Sequence, residues 1–114
     1  MEFHEVARLL EGIPYISAER GQQLYDFIIE GNVRDVLELG FAHGASTCYM
    51  AAALDQQGAG KITTIDTVVA RDREPNLDQL LERSGLGRYV HPVCPTVSWI
   101  GSTAGRRSAA TCTS

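Results

Sequence analysis

Several residue types are scarce in this chain of 114 residues, and each scarcity narrows what it can be. There is a single lysine, Lys61, and a single tryptophan, Trp99. The three cysteines, Cys48, Cys94 and Cys112, form no CxxC pair and no metal-ligand spacing. An odd count fits poorly with a disulfide framework, so reduced, partly buried thiols are expected. No apolar run reaches the roughly 18 residues of a membrane span. The opening residues, Met1-Glu2-Phe3-His4-Glu5, lack the basic start and apolar run of a signal peptide. A soluble, cytoplasmic protein with no membrane partner is therefore expected. Ten bases against fourteen acids give a net charge of −4, which argues against a nucleic-acid partner. No internal repeat is visible.

Acids are missing altogether beyond Glu82. Residues 1–82 hold all fourteen acids and six bases, a net −8, whereas residues 83–114 hold four arginines and no acid, a net +4. Of the seventeen residues from Ser98 to Ser114, twelve are Ser, Thr, Ala or Gly, with no periodicity. Such a stretch has too little apolar surface to offset the entropy of ordering it. The expected organisation is a folded part over residues 1–95 and an irregular, disordered tail over 96–114.

What is present suits one small domain, with 44% hydrophobic residues to build a core. Val6, Leu9 and Leu10 suggest a short helix over 5–11, broken before Pro14. Ser17 is an N-cap candidate for a helix from Ala18 to about Glu30, with Leu24, Phe27 and Ile28 facing the core. Val33 to Leu39 reads as a strand; Val36, Leu37 and Leu39 are apolar enough to predict cover on both faces. A helix from Ala45 to about Gln57 and a strand from Lys61 to Asp66 follow. After a polar loop over 67–73, Pro75 opens a helix carrying Leu77, Leu80 and Leu81. Arg88 to Cys94 makes a third strand. The alternation predicts parallel βαβ units with right-handed crossovers.

The functional signal lies where the first strand ends. Val36-Leu37-Glu38-Leu39-Gly40-Phe41-Ala42-His43-Gly44-Ala45-Ser46-Thr47 runs from an apolar strand through an acid into a glycine-rich turn, then into a helix start. That order brings backbone close to a ligand at the carboxyl end of a strand. The second strand also ends in an acid, Asp66, and two acids at neighbouring strand tips suggest a nucleoside-type cofactor.

Glu38-x-Gly40-x-Ala42-x-Gly44, with Asp66 closing the next strand, resembles the first motif of class I S-adenosylmethionine-dependent methyltransferases. Arg20-Gly21-Gln22-Gln23-Leu24 ahead of Val36-Leu37-Glu38-Leu39-Gly40 resembles the small-molecule O-methyltransferase branch. The resemblance covers about residues 15–95. It implies a Rossmann-like α/β methyltransferase fold, of which only the N-terminal half, about three parallel strands with helices, is visible. It also implies S-adenosylmethionine as cofactor and methyl transfer to a small-molecule acceptor, through oxygen. On this resemblance Gly40, Ala42 and Gly44 let the chain pass under the methionine part of the cofactor, and Ala42 stands where a glycine is usual. Glu38 would hold the ammonium, Ser46 the carboxylate, and Asp66 both ribose hydroxyls. His43 lies in the turn rather than an acceptor pocket and is read as a loop histidine. Trp99 would suit an acceptor pocket but falls in the tail.

The rival is a dinucleotide-binding oxidoreductase, with Gly40-x-Ala42-x-x-Ala45 forced onto GxGxxG. Glu38 stands against it, because a dinucleotide strand is usually apolar there, and Gly44 would go unused. Nothing in the sequence matches the family's fourth motif, so neither a catalytic base nor a metal ligand is assigned. The composition break and the excess of arginine over lysine suggest a truncated or frame-shifted methyltransferase, weakly active or inactive. Its first strand would present an open edge fit for self-association. A non-catalytic remnant that binds cofactor or another chain is the second functional class.

Overall fold

The computed structural model describes residues 1–14, 16–95 and 109–111. Two helices, α1 (Phe3–Leu9) and α2 (Ala18–Gly31), lead into β1 (Asp35–Leu39), α3 (Ala45–Gln57), β2 (Lys61–Ile65), α4 (Leu77–Ser84), β3 (Val90–Pro95) and β4 (Ala109–Thr111). The sheet order is β1-β2-β3-β4. The first three strands are parallel, and β4 runs antiparallel to β3. The chain thus has the α/β architecture expected, with three parallel strands joined through α3 and α4.

Local chemistry accounts for the element ends. The Ser17 hydroxyl oxygen accepts from the Arg20 N–H at 3.1 Å and starts α2. Asn32, in the left-handed region at φ 47°, stops it. α4 begins at Leu77 rather than Pro75, because Asn76 and Gln79 form a reciprocal capping box. The loop expected over 67–73 contains a short 3-10 helix, Val68–Asp72.

The core sits between the helices and one face of the sheet. α3 is its centre, with Ala45 and every residue from Thr47 to Leu54 buried, because it packs against α1, α2, α4 and β2. The sequence predicts a single apolar stripe through Met50, Ala51 and Leu54; enclosure on several sides buries the rest as well. Gly21 of α2 lies so close to α3 that a Cβ there would run into the Tyr49 ring. Phe3 bridges the two helices, edge-on to Tyr25 at 5.8 Å and stacked on Tyr49 at 5.7 Å.

Two packing expectations are corrected. Phe27 is 69% exposed; the buried stripe of α2 runs through Gly21, Tyr25 and Ile28, and Phe27 lies about 100° off it. β1 is covered on one face only. Val36, Ile62 and Val90 share a register row on the helix side, whereas Leu37, Thr63 and His91 share a row on the other. Leu37 and Leu39 are 65% and 76% exposed. The reason is topological: α3 and α4 contact each other and so lie on the same side of the sheet.

Cys48 is free and wholly buried, and burial pushes its thiol up to about 12. Cys94, buried on β3, is disulfide-bonded, which departs from the expectation of reduced thiols. Of the expected irregular tail, only the strand residues Ala109–Thr111 are described. The readings placed on Trp99, Cys112 and the remainder of that segment lie outside the described residues. Among the described residues no helix is long and apolar enough to cross a membrane.

Candidate cofactor site at the tips of β1 and β2

β1 ends beside β2, with Leu39 opposite Ile65, and the Gly40 N–H continues the pairing by donating to the Ile65 carbonyl at 2.6 Å. The chain then turns sharply. Gly40, Ala42 and Gly44 all take positive φ, at 86°, 50° and 95°, and the Gly44 N–H closes a turn on the Phe41 carbonyl at 2.6 Å. α3 starts immediately afterwards. Alternate small residues are therefore a conformational requirement here.

The three small residues do different work. A Cβ at Gly40 would meet nothing within 4 Å, so this position is open to an incoming ligand. A Cβ at Gly44 would come within 2.5 Å of Leu77 Cδ1 and 3.1 Å of the Leu77 Cα, so Gly44 is required by the packing of α4. Ala42 accepts a left-handed conformation that costs an ordinary residue about 1 kcal/mol. Its N–H repays part of this by donating to Asp66 Oδ2 at 2.9 Å.

Asp66 joins the two strand tips. Its Oδ1 accepts from the Thr67 N–H at 2.7 Å, so each carboxylate oxygen makes one backbone hydrogen bond. A carboxylate has about four acceptor sites, which leaves one on each oxygen. That is the pair a vicinal diol needs.

Glu38 is held by hydroxyls from three directions. Its Oε1 accepts from Thr64 at 2.8 Å and from Thr47, and its Oε2 accepts from Ser46 at 2.5 Å. Thr47 and Thr64 are fully buried. Thr64 stands opposite Glu38 in the parallel register, and Ser46 and Thr47 belong to the first turn of α3. The carboxylate therefore fastens β1, β2 and α3 together, and Oε2 keeps one acceptor site. Reading the sequence alone missed Thr47 and Thr64. Neither could be read locally: Glu38 stands opposite Thr64 rather than Asp66, an offset of two residues that only the strand register reveals.

Ser46 and Glu38, expected to meet opposite ends of an amino acid, thus meet each other. His43 Nδ1 lies 2.6 Å from the Pro75 carbonyl, tying the turn to the segment before α4. A cavity of about 350 Å³ opens beside the turn, lined by residues that include Ile16, Arg20, Gly40, Phe41, His43 and Ser46. Its size falls at the lower end of small-molecule sites. All six residues expected to touch cofactor, Glu38, Gly40, Ala42, Gly44, Ser46 and Asp66, lie in or next to this one strand-tip region. Among the described residues the only group with metal-ligand spacing is Glu2, His4 and Glu5, all exposed and on the opening segment.

A family model described as "Methyltransferase domain" matches residues 37–111, which include the turn, Glu38 and Asp66. The chain belongs to this methyltransferase family. Solved structures agree on the fold. The O-methyltransferase TomG from Streptomyces achromogenes, involved in tomaymycin synthesis and solved with SAM, is 24% identical, with a TM-score of 0.59. An O-methyltransferase from Bacillus cereus, solved with SAH, is 22% identical at the same TM-score. In both cases 77% of this chain and 40% of the other are covered. Cofactor-bound Rv0187 from MTB is 25% identical at a TM-score of 0.58, over 77% of this chain and 39% of that one. The methyltransferase domain described here therefore spans about 40% of the length of the structures it matches. No curated protein matches the chain.

Proposed function

We propose that this methyltransferase domain binds S-adenosylmethionine at the β1–β2 tips and contributes the donor half of a methyl transfer to a small-molecule oxygen. The observation that carries this reading is Asp66: a carboxylate pinned by two backbone N–H groups, with one acceptor site left on each oxygen, beside a turn of three positive-φ residues. Asp66 would take the ribose hydroxyls, Gly40 would admit the methionine part, and the spare site on Glu38 Oε2 would take the ammonium. When bound, the cofactor would supply an electrophilic methyl on its sulfonium, to be exchanged from sulfur to the acceptor oxygen. The acceptor proton must pass to a base, and no described residue is assigned that task. We therefore expect the isolated chain to bind cofactor without appreciable turnover.

Two further elements belong to this reading. The edge and bare face of β1, with Leu37 and Leu39 exposed, support association with a second strand or a second copy. A cytoplasmic location is supported by the free, buried Cys48, while the disulfide at Cys94 counts against it. Net charge supports the absence of a nucleic-acid partner.

Titration calorimetry with S-adenosylhomocysteine and, separately, NAD tests the reading. Saturable binding of the nucleoside thioether alone is expected. Binding of NAD alone would favour an oxidoreductase; binding of neither would remove the site.

A further inference from the structure

A thioether or sulfonium cofactor of the class proposed above ends in an amino acid, and its carboxylate must find a cation or N–H donors. Sequence reasoning gave that task to the Ser46 hydroxyl. The structure spends the Ser46 proton elsewhere, on Glu38 Oε2. A hydroxyl has one proton to donate, so while that bond holds Ser46 cannot also donate to a ligand carboxylate. Among the described residues, the other polar side chains lining the 350 Å³ cavity are His43 and Arg20. His43 Nδ1 is engaged with the Pro75 carbonyl.

Arg20 remains, and among the described residues of that lining it is the one permanently charged cation. Its backbone N–H is used in capping α2 on Ser17, which fixes the Arg20 Cα at the start of the helix. Among the described residues its guanidinium forms no ion pair. Ala45 and Ser46, in the first turn of α3, line the same cavity, and the N–H groups of a first turn have no partner within their own helix. We infer that Arg20 is the anchor for the carboxylate of the cofactor's amino-acid end, working with the backbone N–H groups at the start of α3. Glu38 then keeps the ammonium side, and the two ends of the amino acid are told apart by charge. A guanidinium suits this role because its planar fork matches a carboxylate in two hydrogen bonds. The inference rests on the proposed cofactor reading and adds a binding residue to it.

The test separates the carboxylate from everything else in the ligand. Affinities for S-adenosylmethionine and for its decarboxylated analogue, which keeps the sulfonium and the ammonium, are measured with the wild-type chain and with Arg20→Ala. We expect the wild type to prefer S-adenosylmethionine by about tenfold, the scale of one charge-assisted hydrogen bond. In Arg20→Ala that preference should fall to near unity, with affinity for the decarboxylated ligand unchanged. Arg20→Lys should recover part of the preference. Equal loss for both ligands, or a preference that survives Arg20→Ala, would overturn the assignment. In those cases the cofactor reading stands if Asp66→Ala still weakens both ligands. If the wild type binds neither ligand, the cofactor reading fails and this inference with it.

Discussion

At the residue scale, the strand-tip turn sets three small residues against three different constraints. Ala42 is held at φ 50°, where glycine is relaxed and alanine is not. Ala42→Gly should therefore raise stability by about 1 kcal/mol, less the added entropy of the unfolded chain, as read by urea denaturation. Gly44→Ala should do the opposite. It combines a φ of 95° with a Cβ placed 2.5 Å from Leu77 Cδ1, and a loss of roughly 2–4 kcal/mol is expected. If Gly44→Ala were neutral, the packing of α4 against the turn would be wrong. Glu38 carries a comparable structural burden, since its removal leaves the hydroxyls of Thr47 and Thr64 buried without an acceptor. An activity loss in a Glu38 variant is thus uninformative unless folding is measured alongside.

At the element scale, helix ends and one helix–helix contact decide how the scaffold holds the turn. Asn76→Ala breaks the capping box that starts α4 and should cost about 1 kcal/mol by the same denaturation assay. α3 is pinned further along by Asp55, which meets the N-terminal ammonium and, at 2.8 Å, the Tyr89 hydroxyl. The hydrogen bond from the ammonium holds the Asp55 carboxyl below its ordinary value of 3.8, with the Tyr89 hydroxyl adding to it. A carboxyl lowered in the folded state stabilises above its unfolded value and loses that contribution as pH falls through the folded one. Stability should therefore decline as pH drops below about 4, with a shallower decline in Asp55→Asn.

Most of these elements were legible in the sequence because their signals are local. The cap at Ser17, the glycine turn and the β-branched run of β2 each declare themselves within a few residues. The facing of Phe27 did not, because apolar spacing alone leaves two neighbouring stripes of α2 nearly equivalent. Gly21 and Tyr49 settle which stripe packs inward, and that contact is tertiary. The hydroxyl cage around Glu38 was equally hidden, since it needs the register of β1 on β2 and the approach of α3. In the candidate site, the residue types and their convergence could be read in advance. The partner of Ser46 and the place of Arg20 in the cavity could not.

At the scale of the whole molecule, the sheet is one-sided. Helices cover one face, while Leu37 and Leu39 stand exposed on the other, and among the described residues β1 pairs with β2 alone. An apolar face next to an unpaired edge favours association. Sedimentation should show concentration-dependent self-association of the isolated chain, reduced by Leu37→Thr with Leu39→Thr. A monomer at all concentrations would contradict this. The same one-sided unit nonetheless brings both acids and the turn together without help from further strands, so the donor site should operate in this chain alone.

The most direct test of that claim is the affinity of the purified chain for S-adenosylhomocysteine, compared between wild type and Asp66→Ala by calorimetry. Two charge-assisted hydrogen bonds from the ribose are at stake, so we expect saturable binding in the wild type and a loss of at least about tenfold in the variant. Unchanged affinity in a folded Asp66→Ala chain would contradict the account, because it would remove the acid at the tip of β2 from the site.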